Sequence, residues 1–165
     1  FFFKMALIRL TTHEDLDTIY TFIRLLAQEE KEDPDKRVNV TKEELHHTFN
    51  QGHFNALVAE AEGKVVGFAL FYHRFSTWDG LTIHLEDLFV LKEHRNKGIG
   101  RNLLKNLVQR AKELKCRRVE WIVIEWNENA IRFYESLGAE LVHEWKTVQL
   151  AEKDYGRLLG ETKKS

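Results

Sequence analysis

The spacing of apolar residues changes period several times along the chain, and each change marks an element. Ala6 to Leu10 is a short apolar run suited to a strand. Leu16, Ile19, Tyr20, Ile23, Leu26 and Ala27 then recur at helical spacing, which predicts a helix whose pattern stops near Glu32. Asp33-Pro34-Asp35 breaks it, and Thr41 with Glu44 forms a capping-box signature that opens a second helix through Asn50. Phe54 to Ala61 and Val65 to Tyr72, joined through Glu62-Gly63, read as a hairpin. A further strand is expected from Thr82 to Val90. Leu103, Leu104, Leu107, Val108, Ala111 and Leu114 then mark an amphipathic helix. Arg118 to Ile124 returns as a strand, and the helix before it predicts a parallel, right-handed crossover. Asn127 can cap the next helix, with Ala130, Ile131, Phe133, Tyr134 and Leu137 as its buried face and Gly138 as its stop. Leu141 to Leu150 are expected to supply closing strands, and Leu158 and Leu159 a last short helix. The order is β-α-α-β-β-β-α-β-α-β-β, an α/β (α+β) class with a mixed central sheet flanked by helices.

Between the fourth strand and its helix lies Arg95-Asn96-Lys97-Gly98-Ile99-Gly100, followed by Arg101. Gly98 and Gly100 fall where the helix begins, so unpaired backbone N–H groups can converge on an anion while the helix dipole adds favourable field. Without side chains at these positions, phosphate oxygen can approach within hydrogen-bond distance. The alternative is a plain tight turn. The spacing is neither the dinucleotide fingerprint nor a P-loop, since no Gly-Lys-Ser or Gly-Lys-Thr follows.

Bulk properties narrow the class without naming a function. The 165 residues, 43% apolar and 12% aromatic, suit one domain with one core, expected over residues 5–165; residues 1–4 read as an added remnant or tail before Met5. With 25 Lys and Arg against 26 Asp and Glu, no nucleic-acid partner is expected. No apolar run approaches the roughly 20 residues of a membrane span, so no membrane partner is expected either. The single Cys116 excludes an intrachain disulfide framework and fits a reducing, cytoplasmic compartment. The eight histidines show no metal-ligand spacing, and no metal is predicted.

Arg-x-x-Gly-x-Gly after Leu88-Phe89-Val90 resembles the pyrophosphate loop of the GNAT N-acetyltransferase superfamily. Leu85-Glu86-Asp87-Leu88-Phe89-Val90, that loop, and Glu125-Trp126-Asn127-Glu128-Asn129-Ala130-Ile131-Arg132-Phe133-Tyr134 are similar in order and spacing to its spermidine/spermine (diamine) N-acetyltransferase branch, with the thialysine-acetylating relatives. The resemblance implies a GNAT fold, acetyl-CoA as cofactor, a small cationic amine as substrate, direct transfer in a ternary complex, and a homodimer. It assigns Leu88, Phe89, Val90, Arg95, Asn96, Lys97, Gly98, Ile99, Gly100, Arg101, Asn127 and Ala130 to the cofactor.

Acetylating an amine requires its lone pair, yet a lysine-type ammonium has a pKa of about 10.4 and is protonated at neutral pH. The resemblance gives proton removal to Glu86, the alternative being a structural acid. Alternation in a regular strand sends Glu86 and Asp87 to opposite faces unless a bulge re-aims them. Tyr134 matches the acid that protonates the departing thiolate; the alternative is a core tyrosine with a satisfied hydroxyl. Glu29 and Glu30 align with substrate-contacting positions, or form a solvated acidic helix end. Trp78 could cover a cationic substrate, and Glu120, Trp121 and Ile122 should line the opposite wall, although Trp121 fits a core equally well. Ser76 stands where polyamine-selective members carry an acid, so Ser76-Thr77-Trp78 is more like the thialysine-acetylating relatives; Asp79 is a candidate replacement for that charge. Competing functions are acetylation of a protein lysine or N-terminus, and a non-catalytic coenzyme A binding module.

Overall fold

A computed structural model describes residues 6–161. The chain divides into two compact units, with the boundary between Ile122 and Val123.

The first unit carries a five-stranded sheet in the order β1 (Leu7–Leu10), β2 (Asn55–Ala61), β3 (Lys64–Ser76), β4 (Gly80–Val90) and β5 (Val119–Glu120). The first three pairings are antiparallel and the last is parallel. Against one face packs α1 (Leu16–Glu29): Leu16, Ile19 and Phe22 bury with Phe68, Leu70 and Phe89, and Leu45 of α3 (Lys42–Asn50) joins them. The helical spacing of the α1 residues makes this possible, since one stripe of the helix can be entirely apolar. α4 (Ile99–Glu113) contacts β2, β3 and β4 and buries Leu103, Leu104, Leu107 and Ala111. At Gly67 a Cβ would stand 2.7 Å from the Phe89 carbonyl oxygen, so only glycine lets β3 lie this close to β4.

Arg9 on β1 clamps the start of α1, donating to Asp15 at 2.7 and 2.9 Å and to Glu60 at 3.0 Å. Asp15 is buried, and Arg9 and Thr12 hold its carboxyl below the ordinary value despite that burial. Thr41 caps α3 through Glu44 N–H, with Glu44 reaching back to Thr41 N–H at 2.8 Å.

Asp33-Pro34-Asp35 does more than interrupt α1. Asp33 accepts from Asp35 N–H with Pro34 at the first helical position, which starts the single turn α2 (Pro34–Arg37). The strand expected over Arg118 to Ile124 shrinks to β5.

In the second unit Asn127 caps α5 (Glu128–Glu135), accepting from Ala130 N–H at 3.2 Å, and Gly138 ends it at φ 86°. α6 (Tyr155–Leu159) is the expected last short helix. The closing strands expected within Leu141 to Leu150 do not form: the stretch is irregular, with Trp145 and Val148 exposed. Its apolar content suits a strand, but a strand needs a partner for its N–H and C=O groups, and none of the described residues pairs with it. Among the described residues no helix is long and apolar enough to cross a membrane, and no cluster of His, Cys, Asp or Glu could hold a metal ion. The first four residues, expected as a remnant or tail, lie outside the described residues.

Candidate active site

Strands β3 and β4 stay in register from Ser76–Gly80 to Phe71–Leu85, after which Leu70 pairs with Asp87. Glu86 is therefore an extra residue in β4, a β-bulge. Directly paired residues share a sheet face, so Tyr72 with His84, Leu70 with Asp87 and Phe68 with Phe89 all lie on the α1 side. The bulge is the re-aiming device that a regular strand lacks. Glu86 lies 3.6 Å from His84 on this face (Oε2 to Nε2), and Asp87 feels the charge of both Glu86 and Glu30.

The consequences for charge are large. Burial, then Glu86, then Glu30 push the Asp87 carboxyl up from 3.8 to about 7. Burial, then Glu32 and Glu29, raise Glu30 as well. Burial, followed by the Glu86 carboxylate, raises the Tyr72 phenol. Three acids, Glu30, Glu86 and Asp87, thus gather where the cost of crowding is relieved by a cation.

Glu29 belongs to a different arrangement. Arg95 grips it through two bonds of 2.8 and 2.7 Å, donates to the Val90 carbonyl at 2.7 Å and lies 5.7 Å from the centre of the Phe89 ring. The family resemblance assigns Arg95 to the cofactor and Glu29 to the substrate; in the structure their side chains pair with each other. A hollow of about 270 Å³ beside this pair is lined by Leu25, Gln28, Glu29, Phe89, Leu91, Lys92 and Glu93. A larger one of about 680 Å³, over α3, holds none of the sequence-predicted site residues.

A bulge bends its strand and sharpens the twist. β4 and β5 accordingly pair only at Ile83–Val119 and His84–Glu120 and then part, which explains the short β5. Past His84 the outer edge of β4, including Leu88, Phe89 and Val90, has no strand partner among the described residues. At the mouth of the fork Glu120 ion-pairs with Arg74 and Arg118, and Arg118 also holds Asp79. Burial opposes the charge on Glu120, but these arginines outweigh it and its carboxyl stays below the ordinary value. The Ser76 hydroxyl accepts from Trp78 and Asp79 N–H at 3.2 and 3.1 Å, shaping the turn on which Trp78 stands exposed. Trp121 is half-buried and Ile122 exposed.

Gly98 caps α4 at φ 77°, a left-handed conformation that glycine adopts without strain. No side chain caps this helix, the first turn carries no acid, and the space a Cβ would occupy is open. The first N–H groups of this four-turn helix, at Ile99, Gly100 and Arg101, therefore receive no side-chain cap, and Asn96-Lys97-Gly98 leads into them. Buried Ile99 anchors the turn, and Lys97 donates to the Glu93 carbonyl at 2.8 Å. In the second unit, Tyr134 is half-buried with its ring 5.4 Å from that of Phe133.

The sequence profile of the acetyltransferase (GNAT) family matches residues 15–139. The chain belongs to the GNAT family of acetyltransferases. It is 35% identical over 145 residues to thialysine N-epsilon-acetyltransferase of Bos taurus, covering 82% of this chain and 84% of that one. It is 37% identical over 82 residues to the spermine/spermidine N(1)-acetyltransferase of Bacillus subtilis, 47% of this chain and 53% of that one. An integron cassette protein from the mobile metagenome of V. cholerae superposes with a TM-score of 0.76 at 26% identity, covering 94% of this chain and 98% of the other.

As a GNAT enzyme the protein is an acetyl-CoA-dependent N-acetyltransferase with the mixed sheet of that fold. Acetyl-CoA, when bound, supplies an activated acetyl thioester. The uncapped N-terminus of α4 and the open Cβ space at Gly98 fit its diphosphate. His84 and Tyr72 were missed in the sequence because the stacking of Tyr72 on His84, and the approach of Glu120 to it, depend on cross-strand register. The available signal was local: His84 stands two residues before Glu86, on the same side of a strand.

Proposed function

We propose that this GNAT enzyme acetylates the terminal primary amine of a small cationic substrate, with a thialysine- or lysine-like side chain preferred over a long polyamine. The observation that carries the proposal is the gathering of Glu86 and Asp87 on one face by the β4 bulge, with Asp87 feeling the charge of Glu30 at the end of α1. A cationic head lowers the free energy of all three acids at once. The preference for a short substrate follows from the turn at Trp78, where Ser76 binds backbone N–H groups and Asp79 is held by Arg118. Relatives with this activity name, matched over most of their length, support the same reading.

In this reading Glu86, the exposed member, removes the ammonium proton, and Asp87 sustains the negative field beneath it. The free edge at Leu88, Phe89 and Val90 offers ladder groups to the amides of the cofactor arm. Asn96, Lys97, Gly98, Ile99, Gly100 and Arg101 hold the diphosphate, while Arg95 braces Glu29. Asn127 and Ala130 toward the cofactor, and Tyr134 as thiolate acid, rest on the family resemblance. Both units are read as one acetyltransferase domain, because the family profile runs across their boundary. A homodimer is supported by that resemblance and by the exposed apolar side chains of Trp145, Val148 and Leu158, and light scattering tests it. Cytoplasmic location is inferred from the single cysteine.

The experiment is coenzyme A release with thialysine, lysine, ornithine-length diamines and spermidine. Thialysine or lysine is expected to give the highest kcat/KM. If every small amine reacts no faster than solvent while a peptide lysine is acetylated, the small-amine reading is wrong.

A further inference from the structure

His84 occupies the last rung of the β4–β5 ladder, at the apex of the fork and next to the bulge. Its side chain is only 13% exposed. The ring stacks on Tyr72, with centroids 5.1 Å apart and planes at 28°. Nε2 lies 3.6 Å from Oε2 of Glu86, and Nδ1 lies 3.9 Å from Oε1 of Glu120. Nδ1 is fully buried and has no hydrogen-bond partner among the described residues. A buried ring nitrogen without a partner is uncommon, and this one belongs to a ring that stands between two carboxylates.

We propose that His84 is a proton relay acting through Glu86, taking from it the proton that Glu86 removes from the substrate ammonium. The proposal rests on the reading of Glu86 as the proton acceptor. The substrate N–H bond breaks and an O–H bond forms on Glu86, leaving the amine lone pair free to attack. That O–H bond then breaks as an N–H bond forms on His84, which restores the Glu86 carboxylate for the next turnover. The imidazolium stands between Glu86 and Glu120, and Nε2 gives its proton up to water once the acetylated product has left. Glu120 stabilises the charge without keeping the proton, because Arg74 and Arg118 hold it as a carboxylate. The groups facing the ring are Tyr72 and Arg74 from β3, Glu86 from β4, Glu120 and Arg118 beside it, and Asp79 behind Arg118. Both gaps exceed a hydrogen bond, and such contacts commonly tighten once substrate binds.

The test compares wild type, H84Q and E86Q in coenzyme A release with the best amine of the panel, from about pH 5.5 to about 9. H84Q is expected to lower kcat roughly 10- to 100-fold and to remove one inflection from the pH profile, with KM and melting temperature unchanged. A merely structural histidine would leave the inflections in place. As a second measurement, H84N should be slow in the same way with an unchanged melting temperature, because neither amide can take a proton from Glu86. Wild-type kcat and inflections in H84Q, together with a slow E86Q, would overturn the relay and leave Glu86 as base. A fully active E86Q would remove the base assignment and the relay with it. An H84N that turns over as fast as wild type also overturns the relay.

Discussion

Replacing Asp87 by asparagine tests the electrostatics of the bulge most directly. The carboxyl ordinarily titrates at 3.8 but in the folded protein at about 7. Between those values the folded state holds more protons than the unfolded chain, so stability falls as pH rises through that window. About three pK units at 1.36 kcal/mol each bound the loss at about 4 kcal/mol by pH 8. Relaxation and water entry around a partly buried acid reduce this to about 2 kcal/mol. D87N keeps the shape and removes the ionisation. It should melt roughly 4–8 °C above wild type at pH 8, and the difference should vanish or reverse near pH 4. Scanning calorimetry of both proteins at the two pH values reads this, because other titrating groups cancel in the difference. An identical melting difference at both pH values would mean that Asp87 ionises without penalty, and the argument for a strained acidic pocket would fail.

Gly98→Ala should cost about 1 kcal/mol in stability from its left-handed backbone. By crowding the diphosphate it should also weaken acetyl-CoA binding about tenfold; calorimetry showing unchanged affinity would remove the loop from the cofactor site. Tyr134→Phe should lower kcat roughly 100-fold with acetyl-CoA affinity unchanged, and wild-type turnover would exclude it as the thiolate acid. Arg9→Met strands the buried Asp15 and should destabilise by about 2 to 3 kcal/mol at neutral pH, discounted because Arg9 is about one-third exposed. Since Asp15 is held below its ordinary value, the wild-type contribution is present above that value and lost as pH falls through the folded one. Denaturant midpoints at neutral and acid pH should therefore show a shrinking difference between R9M and wild type.

Elements whose causes are local were legible in the sequence. The helical stripe through Leu16 and Ile19, the Thr41–Glu44 cap, the Asn127 cap and the glycine start of α4 each depend on residues within a turn or two, whereas the burial of Phe22 was not read from that spacing. The family likewise showed in contiguous motifs, because a phosphate loop is built from successive backbone groups. What needed the tertiary structure was the pairing of distant residues. Glu86 and Asp87 share a face because β3 skips a residue of β4, and the same skip parts β4 from β5. Arg95 meets Glu29 across 66 positions of chain, and His84 meets Glu120 across 36, so neither partner was visible beforehand. The Leu141 to Leu150 stretch shows the converse: apolar composition marks a segment able to be a strand, but only pairing with another strand makes it one. Local sequence sets each residue's conformational preference, whereas register and long-range ion pairs arise when separate elements compete for partners in three dimensions.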